Sequence, residues 1–335
     1  MKLATYQDGS RDGQLVVVSR DLTTAHYATG IASRLQQVLD DWNFMSPQLQ
    51  DLSDALNQTG HPRARHAFPF DAARCMAPLP RAYQWVAGAG RHDPGPPADG
   101  LEAAPAMLQG ASDDLLGPHD DACFGAEALG IDFNAGLAVI TGDVAMGASA
   151  EQALDGVRLL MLANGWALRA SPGAAQPAAA FGPVAVTVDE LGKAWQRGRL
   201  HLGLQTRWTG KPAALADAGA GMALHFGQLI AHLARTRNFR AGAIVGTGAL
   251  AGAAGAQGFG SIAALRATEA LQDGAAQTPY LRFGDTLHIA LTGRDGLGLL
   301  GAIEQRVVGP GWAAASAAAA ADDTPDPGHA GPHAA

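Results

Sequence analysis

The chain has 335 residues, of which 47% are hydrophobic and 16% are charged, and its formal net charge is -8. This length and apolar content are typical of a globular protein with a sizeable core. An acidic chain without a run of basic residues lacks the positive surface that nucleic-acid binding requires. The basic residues are nearly all Arg, which is typical of GC-rich bacterial genomes, and the two cysteines are too few for a disulfide framework.

The N-terminus lacks the apolar core of a signal peptide, and no stretch is apolar for long enough to cross a membrane. We therefore expect a cytoplasmic protein with no membrane or nucleic-acid partner.

The first 75 residues predict a small N-terminal α/β domain. Apolar positions alternate over residues 1 to 20 on either side of the turn-forming Asp8-Gly9-Ser10, as in a β-hairpin. Apolar side chains at helical spacing between Ile31 and Trp42 then predict a helix. Ser46-Pro47 predicts the N-cap and first turn of a second helix that ends near Leu56.

Residues 76 to 312 form the second predicted domain, and its first feature is a loop. The segment from 86 to 112 is rich in Pro and Gly and lacks any strand or helix periodicity, which predicts a long mobile lid loop. Two capping boxes follow, Ser149-Ala150-Glu151-Gln152 and Thr187-Val188-Asp189-Glu190. The first predicts a helix that continues through Met161, and the second predicts a helix that stops near Gly198.

The last part of the chain predicts more strands. The alternation from His201 to Trp208 indicates a strand that turns at Thr209-Gly210, and an amphipathic helix is predicted from Ala223 to Thr236. A closing hairpin is predicted from residues 287 to 308. From residue 313 to 335, Ala, Asp, Pro and Gly dominate, which predicts a disordered tail.

Two apolar stretches carry a recognisable motif. Gly130 to Asp143 reads Gly-Ile-Asp-Phe-Asn-Ala-Gly-Leu-Ala-Val-Ile-Thr-Gly-Asp, and Leu159 to Arg169 reads Leu-Leu-Met-Leu-Ala-Asn-Gly-Trp-Ala-Leu-Arg. Together with Met76 to Trp85, these stretches resemble the fumarylacetoacetate hydrolase family in its bacterial fumarylacetoacetase-like branch. The resemblance covers residues 1 to 312. It implies an α+β fold, a mixed, β-sheet-rich catalytic domain of the β-sandwich roll type after the small N-terminal domain.

The resemblance also implies a reaction and a metal. Relatives hydrolyse a carbon–carbon bond of a β-diketo acid or act on related oxo acids, and they hold Mg or Mn with carboxylates, which stabilises the enolate that such cleavage produces. In relatives the ligands are two Glu in the first stretch, an Asp in the second and a further carboxylate shortly after the Trp. This chain has no acid at these positions, which are occupied by Ala87, Asn134, Gly136 and Gly165.

One neutral amide oxygen is a poor substitute for several anionic ligands, so we expect metal-dependent activity to be lost and no resident cofactor. The leading hypothesis is a pseudoenzyme or regulatory partner, forming a homodimer or a heterodimer with an active relative by analogy. Whether the chain is an enzyme at all is left open. Trp166, beside Gly165, is either a core side chain on a strand or the group that fills the vacated volume.

Two alternatives use the same pocket. The first is a metal-independent hydrolase or lyase acting on a small oxo acid, with His92 as acid and base, Arg169 or Arg91 binding a carboxylate, and the amides of Gly246, Thr247 and Gly248 holding an oxyanion. The second is a binding module for a small oxo acid. Gln176, at the position of a substrate-binding Lys in relatives, completes the predicted pocket.

Overall fold

The structure is a computed structural model, which describes residues 1–58, 60–61, 64–88, 105–170, 177–215, 217–250, 258–293 and 298–312. Its α-helices are α1 (Leu35–Asp40), α2 (Trp42–Leu56), α3 (Ala150–Asp155), α4 (Ala218–Gly221), α5 (Phe226–Leu233) and α6 (Ile262–Asp273). Its strands are β1 (Lys2–Tyr6), β2 (Gln14–Val18), β3 (Thr24–Tyr27), β4 (Phe68–Pro69), β5 (Trp85–Gly88), β6 (Met107–Gly110), β7 (Ala122–Cys123), β8 (Ile131–Asp132), β9 (Ala135–Thr141), β10 (Val157–Leu168), β11 (Ala178–Thr187), β12 (Trp195–Gln196), β13 (Arg199–Leu200), β14 (Gly203–Trp208), β15 (Lys211–Leu215), β16 (Ile244–Gly246), β17 (Thr286–Thr292) and β18 (Gly298–Val308). None of the described helices is long and apolar enough to cross a membrane.

One large sheet organises the molecule. Its strand order is β4-β3-β2-β1-β11-β10-β9-β16-β5-β6, and β8 pairs with β10 off this path. The hairpin predicted over the first 20 residues is confirmed as β1 and β2. Strand β1 also pairs with β11, with Leu3 opposite Ala185, so the N-terminal strands continue the sheet of the larger region. The domain boundary at residue 75 stays a prediction.

The two faces of this sheet are covered by different elements. On one face lies the smaller sheet, ordered β15-β14-β17-β18-β7, and Trp166 of β10 packs in one cluster with Leu300 of β18. On the other face, Val38 of α1 and Leu49 of α2 pack in one cluster with Met161 of β10. Two packed sheets with a few helices outside them confirm the predicted α+β class.

The first capping box is confirmed, but the length predicted for its helix is wrong. Ser149 Oγ accepts a hydrogen bond from the backbone amide of Gln152 at 3.2 Å. Gln152 Oε1 accepts one from the backbone amide of Ser149 at 2.9 Å. Helix α3 nevertheless ends at Asp155, and β10 begins at Val157. Because β10 lies between β9 and β11 and is buried on both faces, its apolar run has no strand alternation.

The second capping box does not cap a helix. Thr187 Oγ1 accepts a hydrogen bond from the N-terminal ammonium of Met1 at 2.7 Å. It makes no capping hydrogen bond to the segment that follows. The following segment, Val188–Ala194, is 3₁₀-helical and is broken by Gly192, whose φ is +50°. The Thr187 hydroxyl, which the local pattern predicts to cap a helix, thus bonds to Met1, which is distant in the sequence.

Three further boundaries differ from the prediction. Helix α2 begins at Trp42, so Pro47 lies inside it rather than in its first turn. Helix α5 is shorter than the predicted span of Ala223 to Thr236. The ends of the predicted lid loop form β5 and β6, which pair with each other, while residues 89–104 and the tail from residue 313 lie outside the described residues.

Candidate functional site

Adjacent strands bring the four positions without carboxylates together. Strands β9 and β10 are antiparallel with Gly136 opposite Ala163, and the amide of Gly165 donates to the carbonyl of Asn134 at 3.1 Å. On the other side of β9, Gly246 of β16 pairs with Ala87 of β5. The side chains or α-carbons at these positions therefore face one side of the large sheet.

These positions enclose a very small cavity. Its volume is about 10 Å³ and its walls are formed by Trp85, Ala87, Asn134, Gly136, Leu137, Ala163, Gly165 and Gly248. A space of this size holds about one water molecule. It has no room for a hydrated cation together with an organic acid.

Both ends of the Asn134 side-chain amide bond to protein groups. Its Nδ2 donates to the carbonyl of Gly165 at 2.8 Å, and its backbone amide donates to Asn164 Oδ1 at 3.0 Å. Its Oδ1 accepts a hydrogen bond from Arg169 Nη2 at 2.8 Å. The side-chain oxygen of Asn134 thus accepts a hydrogen bond from a guanidinium.

Asp132 is a buried carboxylate that shares its partner Arg169 with Asn134. It is completely buried, and Arg169 Nε donates to its Oδ2 at 2.8 Å. The first two amides of α6 also bind it: Ile262 N donates to Oδ1 at 2.8 Å and Ala263 N donates to Oδ2 at 3.0 Å. Burial raises the pKa of Asp132, and Arg169 and the two amides act against that shift. The carboxylate therefore ties the start of α6 to Arg169.

The glycine loop after β16 closes the space next to Gly136. A β-carbon built on Gly136 would lie 2.2 Å from the carbonyl oxygen of Gly248 and 2.5 Å from Thr247 Oγ1. The loop is held there because Thr247 Oγ1 accepts the amide of Leu137 at 3.1 Å and Thr247 N donates to the Leu137 carbonyl at 2.9 Å. The Thr247 amide is therefore already bonded and does not serve as the predicted oxyanion donor.

Trp166 does not fill the vacated volume, so that hypothesis is wrong. Successive residues of a strand point to opposite faces, and Trp166 points away from Gly165 into the core between the two sheets. Its indole N–H donates to Gln305 Oε1 at 3.1 Å. The aromatic wall of the cavity is Trp85, whose ring would contact a β-carbon on Gly246 at 2.4 Å.

The groups around the cavity do not fit a divalent metal. Mg and related hard cations take six or more oxygen ligands, usually with carboxylates among them. Among the described residues, the lining offers the Asn134 amide oxygen, which already accepts one hydrogen bond, and main-chain atoms of paired strands. Across the described part of the chain, no three His, Cys, Asp or Glu side chains are grouped so as to hold a metal.

Several predicted site residues cannot be placed. Arg91, His92 and Gln176 lie outside the described residues. Their assignment as acid and base, carboxylate ligand and pocket residue stays a prediction. The structure brings together Arg169, Asn134 and the Gly246–Gly248 loop on the same side of the sheet.

Solved structures of the same fold include enzymes from several bacteria. The maleylpyruvate hydrolase from Sphingobium sp. SYK-6, in complex with manganese (II) ion and pyruvate, superposes with a TM-score of 0.63 at 16% identity, covering 92% of this chain and 99% of that chain. A probable 2-hydroxyhepta-2,4-diene-1,7-dioate isomerase from Mycobacterium abscessus gives a TM-score of 0.62 at 20% identity, with the same coverage. The fumarylacetoacetate hydrolase from the psychrophilic Exiguobacterium antarcticum gives 0.60 at 18%, also with the same coverage. At these identities the likeness shows the fold alone.

Family sequence models cover nearly all of the described chain. The fumarylacetoacetase N-terminal domain 2 matches residues 1–81, and the fumarylacetoacetate (FAA) hydrolase C-terminal region matches residues 81–308. A comparison with curated protein sequences finds no match. The second model spans more than half of the chain, and the predicted resemblance is thereby confirmed: the chain belongs to the fumarylacetoacetate hydrolase family.

Proposed function

We propose that this chain is a member of the family that has lost metal-dependent catalysis and acts as a non-catalytic or regulatory protein. The observation that carries the proposal is the closure of the space at Gly136, where the carbonyl of Gly248 and the hydroxyl of Thr247 lie where a side chain would begin. A ligand carboxylate at this position would require the glycine loop to move away from β9.

The chemistry of the remaining groups supports the same proposal. Cleavage between two carbonyl groups develops an enolate, which a metal ion or preorganised donors must stabilise. Thr247 N donates to the Leu137 carbonyl, so it is not available for this task without a rearrangement, and Asn134 Oδ1 is a neutral acceptor that already accepts from Arg169. A cluster of buried carboxylates without its cation would also cost several kcal/mol through desolvation and mutual repulsion.

Titration calorimetry with MgCl₂ and MnCl₂ tests the proposal directly. We expect no saturable binding in the micromolar range and no turnover of acylpyruvates when either metal is supplied. An active maleylpyruvate hydrolase in the same buffer is the positive control for both measurements. Micromolar metal binding, or turnover that EDTA abolishes, would falsify the proposal.

A second candidate function is binding of a small oxo acid, and the position of Arg169 favours it. Its side chain is 31% exposed, and Asp132 and Asn134 fix two of its nitrogens at the edge of the cavity. A guanidinium held in this way can pair with a carboxylate at little entropic cost. Thermal shift with pyruvate in EDTA, compared between the native chain and Arg169→Gln, measures this binding.

Turnover in EDTA that is lost in His92→Ala would instead identify a metal-independent hydrolase or lyase.

We also propose that the chain forms a homodimer or pairs with an active relative. The support is the analogy of a shared family fold. Light scattering on the purified chain, alone and mixed with an active relative, distinguishes a monomer, a homodimer and a mixed dimer. A monomer in both samples contradicts the proposal.

A further inference from the structure

A second concave site lies outside the cavity between β9 and β10. It is a groove of about 400 Å³ between one face of α5 with its flanking residues and the segment 147–150 that leads into α3. The α5 wall consists of Leu224, Gln228, Ala231, His232 and Arg235. None of these residues lines the cavity at Asn134, and the volume lies in the range of small-molecule sites.

The groove carries positive charge. Arg235 and His232 are one helical turn apart on the same wall, and the lining described here includes no Asp or Glu. Burial lowers the pKa of His232, and the charge of Arg235, which lines the same groove, lowers it further. His232 therefore contributes a neutral imidazole near neutral pH, and Arg235 supplies the fixed charge.

Gln228 and Ser149 each have a hydrogen-bond donor left free, because a local hydrogen bond already uses the acceptor of the same side chain. Gln228 Oε1 accepts the amide of His225 at 3.0 Å, which leaves the amino group of the same side chain as its unused hydrogen-bonding end. Ser149 Oγ accepts the amide of Gln152 at 3.2 Å, so the hydroxyl proton of Ser149 is the group left to donate. Both belong to the groove lining and are held in place by these local bonds.

The two walls are tied to each other. The amide of Gly147 donates to the carbonyl of Ala234 at 2.9 Å, and the amide of Met146 donates to Asn238 Oδ1 at 2.8 Å. Segment 147–150 is therefore fixed against the end of α5. A preformed groove of this kind binds a ligand without the entropic cost of ordering its walls.

We propose that this groove binds a small organic or inorganic anion that carries a carboxylate or phosphate group. Arg235 pairs with the anionic group, and Gln228 and Ser149 donate hydrogen bonds to it. Leu224 and Ala231 contact an apolar part of an organic ligand. The proposal does not depend on whether the family pocket is catalytically active.

Calorimetry with inorganic phosphate and with succinate, at constant ionic strength set by NaCl, tests the proposal on the full chain. We expect saturable binding of at least one probe. Arg235→Gln should weaken it by about tenfold or more, since it removes a charge-assisted hydrogen bond. Gln228→Leu provides a second groove variant and should weaken the same probe. Thermal unfolding of each variant verifies that it folds.

The matched control is Arg240→Gln, which removes the same charge from a side chain that is 72% exposed and outside the groove. It should change the affinity by less than about twofold, because exposed charges are screened by salt. Equal weakening in both Arg variants, or no saturable binding of either probe, overturns the proposal. Loss of binding in Arg169→Gln alone would place the anion in the family pocket, which overturns the groove and supports the oxo-acid binding described above.

Discussion

Asp132 and Asn134 lie two residues apart in the same motif, but one position holds a buried carboxylate and the other a neutral amide. At position 132 a carboxylate is buried completely and accepts hydrogen bonds from Arg169 and from the first two amides of α6. Position 134 holds an amide, positions 136 and 165 hold Gly, and the strands close around a cavity of about 10 Å³.

The difference concerns what satisfies a buried negative charge. Asp132 is compensated by groups of the protein itself, so it remains compatible with the fold whether or not a metal is bound. Acids at 134, 136 and 165 would depend on a cation, and without it they would repel one another in a desolvated space. The fold is therefore expected to tolerate Asn134, Gly136 and Gly165 without a cation, whereas substitution of Asp132 would leave its partners unpaired.

The largest expected effect comes from Asp132→Ala, which tests the first half of the comparison. This change leaves the Arg169 guanidinium partly buried without its carboxylate and exposes two unpaired amides at the start of α6. Breaking a buried pair in this way costs about 3–5 kcal/mol of the free energy of unfolding. Urea unfolding measures it, and Asp121→Ala at an exposed site is the control. A loss equal to that of the control would show that Asp132 is dispensable.

A smaller effect is expected from Gly136→Ala, which tests the second half. Its methyl group would lie 2.2 Å from the carbonyl oxygen of Gly248, so the glycine loop must shift. Overpacking of this kind costs about 1–3 kcal/mol. Gly125→Ala is the matched control because a β-carbon there meets nothing within 4 Å. If Gly136→Ala unfolds at the same urea concentration as the native chain, a side chain fits at position 136 and the argument against a ligand there fails.

Much of the sheet could be predicted because its motifs are local. The two stretches that carry the family motif form the neighbouring strands β9 and β10, and Gly136 and Gly165 face the same side of the sheet. The alternation over β14 and the turn at Thr209-Gly210 were also sufficient to predict that hairpin.

The failures have specific physical causes. Helix α6 was not predicted because Ile262 is its one buried position among the described residues, so it has no apolar stripe. Its remaining signals were the N-cap Ser261, whose Oγ accepts the amide of Ala264 at 3.2 Å, and Gly274 at φ +79°. Each is weak alone, because Ser and Gly are also common in turns.

The role of Asp132 was also beyond local reasoning. Its partners at the start of α6 lie about 130 residues further along the chain. The closure of the cavity by Thr247 and Gly248 depends on the same kind of distant contact. A single sequence without a structure does not specify such pairs, so only the absence of carboxylates could be read directly.

The opposite face of β10 gives a third variant, Trp166→Phe, which separates packing between the sheets from the cavity. The change removes the indole N–H that donates to the buried Gln305 Oε1 and leaves that oxygen unpaired. The expected cost is about 1–3 kcal/mol in the free energy of unfolding. Trp312→Phe, at a residue that is 38% exposed, is the control. Because Trp166 points away from the cavity, the calorimetric response to MnCl₂ should be unchanged. A changed response would show that Trp166 acts on the cavity after all.

The smallest effect concerns Glu190, a carboxylate whose partners come partly from solvent-exposed groups. Burial raises its pKa, but Arg20 and the Met1 ammonium, 3.0 Å away, lower it by more, so the net shift is downward. A lowered pKa in the folded state means that the stabilisation is present above the unfolded pKa of about 4.3 and is lost as the pH falls through the folded pKa.

Because Arg20 is 57% exposed, solvent screening limits the effect, and Glu190→Gln should cost on the order of 1 kcal/mol or less at neutral pH. The difference in unfolding free energy between this variant and the native chain should shrink towards zero in acid, whereas Asp121→Asn should show little difference at any pH. A difference that grows as the pH falls would mean that the charge on Glu190 destabilises the fold, and that its partners do not compensate it as those of Asp132 do.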